Sequence, residues 1–302
     1  MPGQPGIYVE IFLSAPIDEV WRVTQQPLEH QRWDLRFTEI EYLPRSDEGE
    51  PQRFLYATRI GFGLAIRGTG ESVGERVTES GEATSSLRFA SDDPKSLIRT
   101  GSGYWRYIPL AEGVRFFTWY DYATRFGVFG RMVDRSVFRP LMGWATAWSF
   151  DRLRLWLEDG QTPEASLAWA TVYALARTTV ALVWLWHGLV PKVIARDAAE
   201  RLMLQQAGLP ASLMAPVGFA EIAFGIVVLF AWRRRWPLVA TVAAMLLALL
   251  AVGLRSPQFV LAAFNPVTLN LSVIALCVVA WIAMRYAPTA RRCLRIQPKE
   301  TA

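Results

Sequence analysis

Four apolar segments dominate the second half of the chain, at about residues 168–190, 213–232, 236–254 and 269–286. Each is near the ~20 residues that an α-helix needs to cross about 30 Å of hydrocarbon. Four in succession at this length and apolarity point to an all-α four-helix transmembrane bundle. The charge distribution divides the chain at the same place. Residues 1–160 hold 19 Lys+Arg against 22 Asp+Glu, a net of −3, whereas residues 161–302 hold 13 against 5, a net of +8. The overall charge of +5 therefore belongs to the apolar half, where it reports topology, and a nucleic-acid partner is not expected. Two domains follow, 1–160 soluble and 161–302 transmembrane.

Short loops orient the bundle. Arg233, Arg234 and Arg235 lie between the second and third spans, and Arg285, Arg291, Arg292, Arg295 and Lys299 follow the fourth. With four spans these eight fall on one side, and Lys192, Arg196, Arg201 and Arg255 on the other. The positive-inside rule then places both termini and the first domain in the cytoplasm of a multi-pass protein of the inner (plasma) membrane. Residues 1–6 lack the basic and apolar regions of a signal peptide, in keeping with that placement. The loop 191–210 carries Val193, Ile194, Ala198, Leu202 and Met203 at helical spacing, as an interfacial helix or a solvated connector would.

Ionisable groups inside spans are costly, about 2.5–3.5 kcal/mol for an arginine at the centre, unless they pair. Arg177, His187 and Glu221 are such groups, with Asn265 a further polar residue before the fourth span. At about 1.5 Å per residue, Arg177 lies ~13 Å from one face and Glu221 ~12 Å from the other. In a core of ~30 Å they differ by about 5 Å in depth, so an Arg177–Glu221 pair is expected. It would either fix helix register or bind a headgroup, a quinone or a proton. His187 sits near a span end, at headgroup level.

The run Trp186-His187-Gly188-Leu189-Val190-Pro191-Lys192, with Gly218-Phe219-Ala220-Glu221 and Phe264-Asn265-Pro266-Val267-Thr268-Leu269-Asn270, resembles the motifs of DoxX-like membrane proteins. The resemblance covers about residues 165–287 and implies a four-helix membrane bundle. Some members of that family are associated with thiosulfate:quinone oxidation or redox complexes, which makes a membrane redox partner an expectation of the resemblance.

Before residue 125 the chain reads as short β-rich runs broken by Gly, Pro and charged turns. Strands are expected at 7–13, 39–44, 53–60, 64–76, 83–89, 101–108 and 113–122, a helix after Ser14, and a long helix over about 127–158 with Pro140 inside it. This order, with Ile11 to Trp21, Trp33-Asp34 and Phe138-Arg139-Pro140-Leu141-Met142, resembles the START-like helix-grip superfamily of polyketide cyclases and lipid carriers. The resemblance covers about residues 6–158 and implies an α+β fold whose sheet wraps the long helix around an apolar cavity.

Side chains alternate faces along a strand. Taking the arginines of 53–60 as outward puts Phe54, Tyr56, Thr58 and Ile60 inside. The same rule puts Trp105, Tyr107, Phe116, Thr118, Tyr120 and Tyr122 inside, with Phe117 and Trp119 outward to touch lipid or the bundle. Rings with a few hydroxyls suit an apolar ligand with one or two polar groups, although a filled core has the same pattern. Gly61, Gly63, Gly68 and Gly70 mark a bent strand or a thin pocket wall.

Catalytic signals are few. His30 and Asp34, four apart on a short helix, form either an acid–base pair or a surface cap. There is no Ser/His/Asp set, P-loop or dinucleotide fingerprint. Two His and two Cys offer no metal-ligand spacing, and Cys277 in an apolar run and Cys293 in a basic tail suggest no disulfide framework. No cofactor or metal is expected. About four residues separate the last soluble helix from the first span, a reach of roughly 14 Å that holds the pocket beside the bilayer. The expectation is a non-catalytic protein that binds or exchanges an apolar molecule of the lipid or quinone class at the membrane. The alternative is a membrane redox or cyclase-type enzyme acting on a quinone or similar substrate.

Overall fold

The computed structural model describes residues 6–298 except 48, 62, 262 and 264. Phe264 of the motif before the fourth span and the basic residue Lys299 fall outside the described residues. By contact the chain forms two compact units, Met1–Ser166 with Pro288–Ala302, and Leu167–Ala287. The tail after the fourth span thus packs with the first unit and not with the bundle it follows in sequence.

The first unit carries an antiparallel sheet of β1 (Ile7–Leu13), β2 (Glu39–Tyr42), β3 (Arg53–Gly61), β4 (Leu64–Val77), β5 (Ala83–Ala90), β6 (Ile98–Leu110) and β7 (Gly113–Thr124). Its order is β1-β7-β6-β5-β4-β3-β2, a meander from β2 to β7 that β1 closes. Helices α1 (Ile17–Gln25) and α2 (Pro27–Trp33) occupy the β1–β2 crossover. After β7, α3 (Gly127–Val133) runs through a π-helical turn at Asp134–Phe138 into the long α4 (Arg139–Asp159). A curved meander holding a long C-terminal helix is the helix-grip arrangement.

Alternation builds the core. Val9, Ile11 and Leu13 of β1 stand opposite Thr118, Phe116 and Val114 of β7, so all six share the inner face. Trp33, Tyr107, Phe116, Phe150 and Leu153 are fully enclosed there. Ile60, expected inside, is 59% exposed. The register shifts between Arg59 and Gly61, and that bulge turns Ile60 out of the alternation. Phe117, expected to reach outward, is buried within the unit against Tyr8, Tyr104 and the Arg115 guanidinium. Trp119 stacks on Tyr104 beside it.

Nine consecutive residues of α4, Ala145 to Leu153, are buried. A helix against one sheet buries a stripe only, so its far side needs a second cover. The tail supplies it. Leu294 exchanges two backbone hydrogen bonds of 2.9 Å with Glu10 on the free edge of β1. The Thr289 amide donates to Asp151 Oδ2 at 2.7 Å, and the Cys293 thiol donates to the Ala147 carbonyl at 3.2 Å. The tail also blunts an edge strand that would otherwise present unpaired backbone groups.

The second unit is built on α5 (Pro163–His187), α6 (Ala198–Gln206), α7 (Met214–Phe230), α8 (Trp236–Arg255) and α9 (Pro266–Tyr286). A π-helical segment, Gly188–Ile194, prolongs α5. Pro163–Ile194, Ala211–Phe230, Trp236–Arg255 and Pro266–Tyr286 are long and apolar enough to cross a membrane. Ala176, Ala181, Ala280 and Ala283 are buried at the centre, where small side chains let helices approach closely. Only 17% of the apolar stretch of α8 is buried, so most of its apolar surface requires hydrocarbon around it. The chain leaves the first unit at Ser166 and rejoins it at Pro288, which requires an even number of crossings between them.

Burial pushes the Cys293 thiol well above the ordinary cysteine range. In a Cys277→Ala chain, Cys293 is expected to resist maleimide labelling at about pH 8. Replacing Leu294 with Pro, which removes the amide that donates to Glu10, should make it label readily. Labelling at equal rates in both chains would show that the tail does not cover α4 in solution.

Candidate functional site

Of the ten side chains expected inside, all but Ile60 lie on the inner face of the sheet, and these nine divide into two groups. Trp105, Tyr107, Phe116, Thr118, Tyr120 and Tyr122 are buried in the packed core. Their hydroxyls are taken: Tyr107 meets Thr24 at 2.7 Å and Gln25 at 2.9 Å, and Tyr120 meets Thr146 at 2.9 Å. Thr118 donates to the Tyr104 carbonyl, and Tyr122 to Asp134 at 2.7 Å. Phe54, Tyr56 and Thr58 on β3 are only partly buried. They flank the half of the inner face that α4 leaves uncovered.

Glycines shape that half. Gly68 and Gly70 on β4 stand opposite Tyr56 and Phe54, and Gly101 on β6 stands opposite Phe89. A Cβ at any of the three would overlap the facing ring, so each ring lies flat across a glycine. The result is a smooth aromatic floor.

A buried charged group stands at the margin of this floor, at the end of α2. Asp34 is 1% exposed and accepts from Arg36 through two bonds, Nε to Oδ1 at 2.9 Å and Nη2 to Oδ2 at 2.6 Å. His30 Nε2 lies 3.0 Å from Oδ2. Since α2 is helical, His30 and Asp34 share a face, as their spacing requires. The pair is not a surface cap: the imidazole is enclosed by Trp33, Phe37 and Trp105. The Arg36 guanidinium lies over the rings of Tyr120 and Phe37, at 5.3 and 5.6 Å. Thr58 donates to the Arg36 carbonyl, and Phe37 meets Tyr56 edge-on at 5.5 Å.

Burial alone would raise Asp34. The adjacent Arg36 charge, with hydrogen bonds from His30 and Arg36, outweighs it and holds the carboxyl well below the usual range. For His30 burial dominates and lowers the imidazole, overcoming the pull of Asp34. A neutral His30 beside an ionised Asp34 must donate from Nε2, because a carboxylate only accepts. Arg36 escaped the sequence reading. Its only signal was Asp34-Leu35-Arg36, an acid and a base two apart after a helix, which is an ordinary surface pattern.

The polar residues of the spans take partners other than those expected. Arg177 does not meet Glu221. Its guanidinium donates to the carbonyls of Val228 at 2.8 Å, Ala231 at 2.7 Å and Arg234 at 3.1 Å, and to the Tyr173 hydroxyl at 3.1 Å. Those carbonyls belong to the C-terminal end of α7 and its turn, where unpaired acceptors and the negative end of the helix dipole favour a cation. Asn265 caps α9, accepting from the Thr268 amide at 2.9 Å. His187 ends α5, and its carbonyl lies 3.4 Å from Lys192 Nζ.

Glu221 pairs instead with Lys192, at 3.0 Å, and the same ammonium lies 3.2 Å from Glu200 on α6. Backbone contact makes this possible. A Cβ at Gly188 would overlap the Gly218 carbonyl, so the end of α5 and the start of α7 touch there. One turn further on, the π-helical segment sets Lys192 against Glu221. Lys192, Glu200 and Glu221 line a cavity of about 240 Å³ between α6, α7 and α8. Its walls include Met203, Leu204, Val217, Ala251 and Val252, with Arg255 at the end of α8.

The DoxX-like family model matches residues 181–278, which hold Gly188, Lys192, Gly218 and Glu221. The uncharacterised membrane protein YndG of Bacillus subtilis is 44% identical over 234 residues, 77% of this chain and 80% of that protein. Among solved structures, a STAR-related lipid transfer protein of Xanthomonas axonopodis is 18% identical, covering 52% of this chain and 89% of its own, with a TM-score of 0.40. The Zhui aromatase/cyclase of a Streptomyces species is 17% identical, covering 49% and 95%, with a TM-score of 0.35.

The two titrating groups make stability depend on pH. Unfolded His30 binds a proton below about pH 6.5 while the folded, buried imidazole resists it. The unfolded state then holds more protons, so the contribution of His30 is present above about pH 6.5 and declines as pH falls. Thermal unfolding of the full chain in detergent between about pH 5 and 8 should show a falling midpoint towards acid, flattened in His30→Gln. An equal slope in the variant would place His30 in contact with solvent.

Proposed function

The chain belongs to the family of the Bacillus subtilis membrane protein YndG, and we propose that in this member the first unit binds an apolar molecule of the lipid or quinone class and exchanges it with the bilayer. The observation that carries this reading is the Arg36–Asp34 pair at the margin of the glycine-floored inner face. An arginine held bidentately by a buried carboxylate is fixed in place, and the small part of its donor edge that Tyr120 does not cover could meet a carbonyl or phosphate oxygen. Phe54, Tyr56 and Phe89 offer flat surfaces for the apolar body. Val128, Phe129 and Met132 of α3 are 75, 66 and 58% exposed, an apolar approach that suits a ligand arriving from lipid.

Liquid chromatography with mass spectrometry of extracts from the detergent-purified full chain tests this. Near-stoichiometric isoprenoid quinone or a single lipid class is expected. Arg36→Lys, which keeps the charge beside Asp34 but loses the planar fork, should retain roughly tenfold less. No apolar molecule above the detergent background, in a folded wild-type chain, would end the binding reading.

A second reading rests on His30. A neutral imidazole hydrogen-bonded to an ionised carboxylate is equipped for acid–base work, which favours a cyclase-type turnover of the same ligand. If His30→Gln retains the ligand but stops its conversion, turnover is established; ligand recovered unchanged from both chains excludes it.

The same proposal has both termini on the cytoplasmic side of the plasma membrane. The arginines at 233–235 and 285–295, and the return of the tail to the first unit, support it. A phosphatase reporter fused after the C-terminus should be silent and a fluorescent one bright. The opposite pattern would invert the topology.

A further inference from the structure

Helix α3 is inside out. A helix packed on a sheet turns its apolar residues inward and its polar ones to water. In α3 the residue buried against the unit is Gly130, where a Cβ would overlap the Arg125 carbonyl, whereas Val128, Phe129 and Met132 all stand outside. Phe126, which leads into the helix, holds a left-handed φ of 65°, a conformation rare for a bulky side chain, and it is 53% exposed. In water, neither the exposed ring nor the uncommon backbone gains anything.

The same end of the sheet carries more apolar surface. Because the strands are antiparallel, the β3–β4 hairpin, the β5–β6 turn and the end of β7 lie together. Lys95 of the turn donates to the Ala65 carbonyl at 3.0 Å, and the Arg125 amide donates to the Leu97 carbonyl at 2.7 Å. Ile60, turned out by the bulge, and Leu64 are exposed at this end. Exposed charge beside these residues is mainly basic. Arg59, Arg131 and Arg135 are exposed and form no ion pair among the described residues, against the exposed acid Asp92. Asp93 is answered by Lys95 at 3.5 Å, and Asp134 is buried against Arg139 and Tyr122.

Large apolar residues bordered by arginines suit an anionic membrane surface, where the apolar groups enter the acyl boundary and the guanidinium groups meet phosphates. A second copy of the same surface would set arginine against arginine. The helix that opens the first span, α5, begins three residues after α4 ends, so docking is an intramolecular step and needs little affinity of its own. We infer that Phe126, Val128, Phe129 and Met132, with Ile60 and Leu64, form a docking surface for a bilayer containing anionic phospholipid, Arg131 and Arg135 resting on its phosphates. The docking surface stands whether or not the aromatic floor holds a molecule.

Fluorescence quenching by lipid-borne doxyl groups tests this. Phe129→Cys, in a full chain carrying Cys277→Ala and Cys293→Ser, is labelled with a nitrobenzoxadiazole fluorophore and placed in phosphatidylcholine nanodiscs with or without phosphatidylglycerol. Blue-shifted emission and doxyl quenching are expected in the anionic discs. Arg131→Gln and Arg135→Gln should each lower the ratio of docked to free chains about fivefold. Phe126→Gly removes the ring and accepts the left-handed backbone without strain. It should weaken docking while the unfolding midpoint holds or rises, which a merely structural role for the ring would not allow. No doxyl quenching in anionic discs, or quenching that neither arginine variant changes, would overturn the inference. A blue shift that depends on two chains per disc, without doxyl quenching, would overturn it in favour of a second copy. Quenching is read independently of ligand content, so failed docking and an empty floor are distinguished.

Discussion

Arg152 holds the first unit together at the point where three elements meet. Its guanidinium is buried on α4 and donates to the carbonyls of Arg32 at 2.8 Å, Trp33 at 3.0 Å and Pro163 at 2.8 Å, and to the Ser166 hydroxyl at 3.2 Å. Among the described residues no carboxylate forms an ion pair with it. Burial accordingly lowers this arginine to about 10, an uncommon state for a guanidinium. Carbonyls at a helix C-terminus replace the water it has lost, and the same bonds satisfy acceptors that α2 would otherwise leave unpaired. Because Arg32 and Trp33 immediately precede Asp34, fixing their carbonyls also fixes where Asp34 and Arg36 point. The candidate site therefore depends on an interaction made by a residue that does not line it.

Arg177 repeats the device in the second unit. There too a buried guanidinium turns to helix-end carbonyls, those of α7, although Glu221 lies on the same helix. Val228 is seven residues beyond Glu221, about 10 Å along the axis, so the two cannot both be within reach. Leaving Glu221 to Lys192 produces the polar end of the cavity. Two glycines make that pairing possible, because only bare backbones approach as Gly188 and Gly218 do.

Side-chain parity was legible where strands are regular. Along β3, β6 and β7 the inward set followed from the arginines that mark the wet face, and the register of β6 with β7 agrees from Gly101 to Leu110. It failed at Ile60, where a bulge breaks the alternation without a glycine or proline at the residue itself. It also could not separate a filled core from a ligand surface. Tyr107 and Tyr56 have the same parity and the same chemistry. One hydroxyl is buried against Thr24 and Gln25, and the other ring lies over Gly68 at the partly exposed end. The cover that α1 lays over Tyr107 decides between them, and that cover comes from a segment far away in the chain.

The amino-acid sequence by itself determined the four spans, the helix-grip order of elements and the inner face of the regular strands. All of these rest on local quantities, namely the length of an apolar run, the period of polar residues and the placement of charge. Tertiary structure alone decided that the tail from Pro288 covers α4, that His30 and Asp34 are enclosed with Arg36, and that Lys192 and not Arg177 answers Glu221. Each of these joins residues far apart in the chain, or turns on which of several acceptors a buried cation reaches first. The cost of burying a charge is written in composition, but the partner that offsets it is chosen by packing.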